Sequence, residues 1–160
     1  MTDAEDMYQN WVTDPEVIRF WGWEPHKDIA ETRFRLAGWI EEYERPDNYH
    51  WVIVLKSISQ AIGYIYLNAI NEAEESAAVH YLLSRKFWKQ GIMTEALKAV
   101  LSFAFGSLEM KRVHTRHHAD NPASGRVMQK SGMRYVKTEY MELPDDPQLR
   151  GEYLFYEMRR

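Results

Sequence analysis

Residues 87–97 read FWKQGIMTEAL and hold Gly91, the only glycine between Gly63 and Gly106. On one side lies the extended apolar run SAAVHYLLS. On the other, Ile92, Met93, Ala96, Leu97, Val100, Leu101 and Ala104 recur at helical steps. Gly91 therefore marks a strand-to-helix junction, and the helix it opens ends near Gly106, which can serve as its C′ residue. A helix start offers about four unpaired backbone N–H groups and a partial positive charge, a seat for an anion wherever no side chain blocks the approach. Glycine leaves the approach open, and Lys86 and Lys89 add charge nearby. The plainer alternative is a turn whose glycine supplies positive φ. No Gly-Lys-Ser/Thr follows, and the other glycines of a dinucleotide fingerprint are missing, so Gly91 alone names no cofactor.

A second junction lies about thirty residues on. KRVHTRHH reads as a strand and NPASGRVMQKSGM as a short helix, with Asn121 at its N-cap, Pro122 at N1 and Gly132 after its end. Asn121 and Ser124 either cap this helix or reach a ligand. If the two strands run parallel, both helix starts lie at one edge of the sheet, an arrangement that suits an extended phosphate-bearing ligand.

Toward the N-terminus, YHWVIVLKS, AIGYIYLNAI and SAAVHYLLS read as three strands separated by short turns, most simply an antiparallel meander. Before them come a helix opening at Thr2 or Asp3, a break at Asp14-Pro15, the aromatic turn-rich segment FWGWEPHKD, and an amphipathic helix from Asp28 to near Pro46. That helix carries Ile29, Phe34, Leu36, Trp39, Ile40 and Tyr43 as its apolar stripe. Two strands, around RYVKTEYMEL and EYLFYEMRR, close the chain on either side of PDDPQLRG. The order α-α-β-β-β-α-β-α-β-β predicts an α+β (mixed α/β) domain, and 160 residues fit a single one.

Hydrophobic residues make up 45% of the chain and aromatics 14%, which excludes a mainly disordered protein. The absence of cysteine excludes a disulfide frame and fits a reducing, cytoplasmic setting. No apolar run approaches about 18 residues, so no membrane span is expected. A net charge of −4 argues against nucleic acid as a partner. In HTRHH, His114, Arg116 and His118 alternate onto one strand face with His117 opposite, and no further ligands for a metal are evident. No Gly-x-Ser-x-Gly elbow is present; Glu74-Glu75 and Asp145-Asp146 read as solvated turns, or, if they stand at a cleft mouth, as acids that attract a cationic amine.

Taken together, RKFWKQGIMTEALKAV and NPASGRVMQKSGM resemble the two coenzyme A motifs of the GCN5-related N-acetyltransferases (GNAT), in the branch resembling the RimJ/RimL ribosomal-protein acetyltransferases. The resemblance covers nearly the whole chain. It implies a mostly antiparallel sheet splayed between the family's fourth and fifth strands, here AAVHYLLS and RVHTRHH, with acetyl-CoA as cosubstrate in the splay. By position, Leu82, Leu83 and Ser84 would meet the pantetheine, and Lys89, Gln90, Gly91, Met93 and Thr94 would form the phosphate turn. Asn121 and Ser124 would contact the distal arm of CoA, and a backbone N–H near Leu82 or Leu83 would serve the oxyanion.

Four departures accompany the resemblance. Lys89 stands where the family uses glycine, and Met128 where many relatives place a tyrosine acid. Ala78 stands where this branch often places a glutamate, which leaves His80, about 6.6 Å farther along the same strand face, as the substitute base. The family's first strand has no counterpart ahead of DAEDMYQ: either the start is truncated or the sheet lacks that edge, which would expose its neighbour and favour a homodimer. The implied activity is acetyl transfer to a primary amine by direct attack on the thioester. The acceptor, a peptide N-terminus first and a small amine or antibiotic second, would lie between FWGWEPHKD and the LPDDPQLRG loop. A non-catalytic acyl-CoA binding module and a nucleotide-binding domain are the alternatives.

Overall fold

The computed structural model describes residues 2–43, 47–142 and 149–160. Short polar side chains fix where most helices begin. After α1 (Thr2–Met7) and a π turn over Tyr8–Val12, Asp14 accepts the Glu16 N–H at 3.1 Å and opens α2 (Pro15–Ile18). Asp28 accepts the Glu31 N–H at 2.9 Å and opens α3 (Ile29–Glu42). Each such cap satisfies a helix-start donor and is worth about 1 kcal/mol.

A six-stranded sheet follows: β1 (Tyr49–Leu55), β2 (Gln60–Asn71), β3 (Ser76–Leu83), β4 (Arg112–His118), β5 (Arg134–Met141) and β6 (Gly151–Arg159), in the spatial order β1-β2-β3-β4-β6-β5. Every pairing is antiparallel except that of β3 with β4, which holds over only three positions, Ser76 with Arg112, Ala77 with Val113 and Ala78 with His114. Beyond Ala78 the two strands part. The α-helices α4 (Ile92–Gly106) and α5 (Pro122–Lys130) follow β3 and β4, so both begin at the end of the sheet where it opens.

Alternation along β3 divides the core. Ala77, Val79 and Leu83 turn to α4 and α5 and pack with Met93, Leu97, Val100, Leu101, Ala104 and Met128. Leu82, with Ala61 and Tyr64 of β2, turns to the other face and packs against Met7, Trp11, Val12, Val17 and Ile18. The first helix is pinned to β2 at a single residue: Asp6 accepts the Ala61 N–H at 2.8 Å and the Asn10 amide donates to the Ala61 carbonyl at 2.9 Å. Leu97 is fully buried, and cutting such a side chain to alanine costs about 2–5 kcal/mol.

Two local expectations need correction. The apolar stripe of α3 is not wholly buried: Phe34, Ile40 and Tyr43 are exposed, and Thr32 is the buried residue of that helix, hydrogen-bonded to His26 at 2.9 Å. Trp21 and Trp23, from the preceding segment, occupy the space over Tyr64 that a wider stripe would fill. Gly106 is the last residue of α4 rather than a left-handed cap, and the end is closed by the Ser107 N–H donating to the Phe103 carbonyl at 2.8 Å. The end expected near Pro46 and most of LPDDPQLRG, including Asp145-Asp146, lie outside the described residues.

Candidate active site

Backbone alternation aims β3 into the opening. Ser84 donates its N–H to the Ile62 carbonyl of β2 at 2.8 Å, so in an antiparallel ladder the even residues of β3 bond to β2 and the odd ones face β4. Val79, Tyr81 and Leu83 thus turn their N–H groups toward a strand that has moved away. The Leu83 carbonyl, facing the same way, accepts the Trp88 indole N–H at 2.7 Å, which clips the following turn against the strand.

That turn ends at Gly91, the N-cap of α4, with φ of +84° and no side-chain cap. The first bond of the helix runs from the Glu95 N–H to the Gly91 carbonyl at 3.0 Å. The N–H groups of Ile92, Met93 and Thr94 therefore have no acceptor in the helix, and nothing lies within 4 Å of where a Gly91 Cβ would stand. Open donors with the positive end of the helix dipole behind them suit a phosphate. Lys89 also has positive φ, +63°, a conformation glycine adopts without strain, and it is among the residues lining the cleft.

The cleft has a volume of about 630 Å³, in the range of small-molecule sites, and passes through the sheet. Tyr81, Leu83, Met93, Lys98, Arg126 and Lys130 line it on the helix side; Glu16, Val17, Phe20, Trp21 and Leu82 line it on the other. Lys89, Lys98, Arg126 and Lys130 place four cations around the helix-side mouth, against one carboxylate, Glu95, among the lining residues there. Tyr81 spans the opening, its hydroxyl donating to the Ser124 carbonyl at 3.0 Å and accepting from the Ser124 hydroxyl at 2.9 Å. Burial raises the Tyr81 pKa, so this phenol keeps its proton. Arg85 pairs with Asp14 at 2.9 Å and ties the turn before α4 to the start of α2 across the cleft.

Among the residues expected from sequence, Leu82, Leu83, Lys89, Gly91, Met93, Thr94, Asn121 and Ser124 come together around this cleft. Ser84 and Gln90 do not line it. Ser84 is fully buried with its N–H bonded to β2, and the Gln90 amide turns back to the Lys86 carbonyl at 3.0 Å. Asn121 accepts the Ser124 N–H at 3.3 Å, and Pro122 has no N–H, so the start of α5 is largely satisfied within the chain. Of the two helix starts, that of α4 is the one left without a side-chain cap. Tyr81, Lys98, Arg126 and Lys130 were not anticipated, although the four-residue step from Arg126 to Lys130 is a helical-face signal legible in the sequence.

His80 stands on the face opposite α4 and α5, beside the opening but not among the residues lining the cleft. Its ring stacks on Tyr66 at 4.9 Å, which in turn stacks on His50 at 4.8 Å. Burial, with Arg116 and His114 adding to it, lowers the His80 pKa to about 4. The ring is neutral at physiological pH and has a weak appetite for an ammonium proton, which counts against the base role expected of it. His114, Arg116 and His118 share this face, while His117 is buried on the other, so close to α5 that a Cβ on Gly125 would lie 2.5 Å from its Nε2. Among the described residues no group of three or more histidine, aspartate or glutamate side chains could hold a metal.

Comparison with known proteins accounts for this geometry. The sequence model of the family described as "Acetyltransferase (GNAT) domain" matches residues 1–134. The N-acetyltransferase YoaA of Bacillus subtilis, itself uncharacterized, is 26% identical over 87% of this chain and 79% of its own length. The ribosomal-protein-serine acetyltransferase of Escherichia coli is 28% identical over 64% of this chain and 56% of its own. Among solved structures, the spermidine N-acetyltransferase of Vibrio cholerae in complex with CoA and spermine superposes with a TM-score of 0.78 at 13% identity, covering 98% of this chain and 89% of that one. The open parallel pair, the uncapped glycine turn and the family match agree, and the chain belongs to the GNAT family of acetyltransferases, enzymes that take acetyl-CoA as acyl donor.

Proposed function

We propose that this acetyltransferase brings its donor in from the α4/α5 side of the sheet and its amine acceptor from the opposite side, so that the two meet in the gap beyond Ala78. The observation that carries the reading is the cleft running through the sheet past the inward-facing Leu83 N–H. The pyrophosphate of acetyl-CoA would rest on the N–H groups of Ile92, Met93 and Thr94, with Lys89 beside it and Lys98, Arg126 and Lys130 toward its outer phosphate. The pantetheine would use the free backbone edge of β3 at Tyr81 and Leu83, since Trp88 already takes the Leu83 carbonyl.

In the reaction, the amine nitrogen attacks the thioester carbon, the Leu83 N–H steadies the developing oxyanion, and the carbon–sulfur bond breaks to release CoA thiolate. The proton lost by the amine goes to solvent, and the thiolate leaves without a side-chain acid at position 128, which a thiol pKa of about 8.5 allows. Holding the two reactants together accounts for most of the acceleration. His80 in this reading stands beside the acceptor side without lining the cleft. The acceptor is read as a peptide N-terminus, supported by the relative named for ribosomal-protein serine; the neighbour named for spermidine supports a small amine instead.

Ala78 and Met128 supply neither a carboxylate nor a hydroxyl to the gap, which favours a non-catalytic acyl-CoA binding module as the second reading. Thiol release from acetyl-CoA separates the two. Release that depends on an added peptide or amine supports transfer; tight CoA binding with no release for any acceptor supports the module.

A further inference from the structure

Beside the cleft, on the acceptor face of the sheet, an aromatic run starting at Phe20 carries two arginines. Phe20 lines the cleft and stacks on His118, ring centroids 5.5 Å apart, and His118 stands edge-on to Tyr153 at 5.2 Å. Two guanidinium groups lie on this aromatic run, Arg19 at 5.1 Å over Phe20, and Arg116 at 5.6 Å over Tyr153 and 6.0 Å over Phe155. Both arginines are exposed, and among the described residues neither has a carboxylate partner, whereas Arg33, Arg85, Arg112 and Arg159 each do. Stacking on rings holds an arginine's plane in place while leaving its N–H fork free for a planar anion. Arg116 also neighbours His80, across the parted strands.

We propose that the acceptor is an anionic one, its amine entering the gap while a carboxylate close to that amine is gripped by Arg116, which stands across the parted strands from His80. The inference rests on the acceptor entering from this face. A polycation would meet the Arg116 guanidinium there, which has no carboxylate partner among the described residues, so the polyamine class is disfavoured. Glu16, on the same wall, suits the amine end. Bidentate pairing of arginine with carboxylate gives orientation as well as affinity, which is what an acceptor amine needs before it can attack.

The carboxylate could come from an acidic side chain near a peptide N-terminus or from a free amino acid, and the test separates them. Thiol release would be compared for the tetrapeptide amides Ser-Asp-Glu-Ala, Ser-Asn-Gln-Ala and Ser-Lys-Lys-Ala, for serine against serinamide, and for spermidine. Binding of the N-acetylated peptides and of N-acetylserine to the CoA-loaded protein would be followed by calorimetry. The expected result is a preference of at least tenfold for an acidic compound over its neutral match, lost in Arg116→Ala through KM and partly kept in Arg116→Lys, with the KM for acetyl-CoA unchanged. Preference for the acidic tetrapeptide names the side chain as the source; preference for serine over serinamide names the free carboxylate. Equal or better use of the neutral and cationic compounds, or indifference to Arg116→Ala, would overturn the inference while leaving acetyl transfer standing. If no compound releases thiol, the transfer reading fails, and the calorimetric preference for anions, present or absent, decides this inference alone.

Discussion

Lys89 shows how one residue can serve two masters. Its backbone sits in the left-handed region at φ +63°, where a side chain costs about 1–2 kcal/mol, and the residue lines the cleft two positions before the uncapped helix start. Lys89→Gly should therefore leave stability unchanged or raise it by up to about 1 kcal/mol, since relief of strain is partly offset by the looser unfolded chain. The same change should weaken CoA binding roughly two- to fivefold, the worth of an exposed charge contact. Denaturant titration and calorimetry check both; unaltered CoA affinity would mean the lysine plays no part in holding phosphate. His80 makes the opposite point. The sequence offered an imidazole on the correct strand face, and only packing reveals the ring stacked on Tyr66 and its pKa lowered to about 4. His80→Ala should leave the acidic limb of the kcat/KM pH profile where it was, set by the acceptor amine; a displaced limb would restore the imidazole as base.

At the scale of elements, the start of α4 was legible because its signals are local: an apolar run, a single glycine and a helical period. Gly91 proves to be both a positive-φ turn and an open helix start, the two readings that local reasoning kept apart. Gly91→Val should cost more than 1 kcal/mol of stability, since a β-branched residue is a poor fit at φ +84°, and should weaken CoA binding at least tenfold by covering the donors. Asp28→Ala, which removes the cap of α3 at the same order of stability cost, should leave CoA affinity unchanged. Equal losses of affinity in the two variants would mean that general destabilisation is being measured. The burial of α3 was not legible, because which part of an apolar stripe faces inward depends on Trp21 and Trp23, neighbours whose placement no periodicity encodes. Tyr81 escaped notice for a similar reason, its partner Ser124 lying 43 residues away.

Across the whole molecule, the deciding feature is a sheet whose one parallel pair lasts three positions and then opens. Strand order and the placing of two helix starts at that end follow from the alternation of elements; the length of the gap does not. Burial also lowers the pKa values of His26, His50, His80, His114 and His117 from the ordinary 6.5. Between about 4, the His80 value, and 6.5 the unfolded chain binds more protons than the folded one, so stability rises with pH there and is lost on acidification. The urea midpoint should fall clearly from pH 7.5 to pH 5, and a midpoint that holds or rises would mean these rings are not buried neutral.

Acetyl-CoA is expected to lie across the parted strands β3 and β4, and a crystal structure of the protein with CoA decides whether it does. The expected result is pyrophosphate oxygens within hydrogen-bond distance of the Ile92, Met93 and Thr94 N–H groups, the pantetheine along the free edge of β3, and the sulfur between β3 and β4 near Leu83. CoA bound away from the Gly91 turn, or with its sulfur outside the gap between those strands, would contradict it.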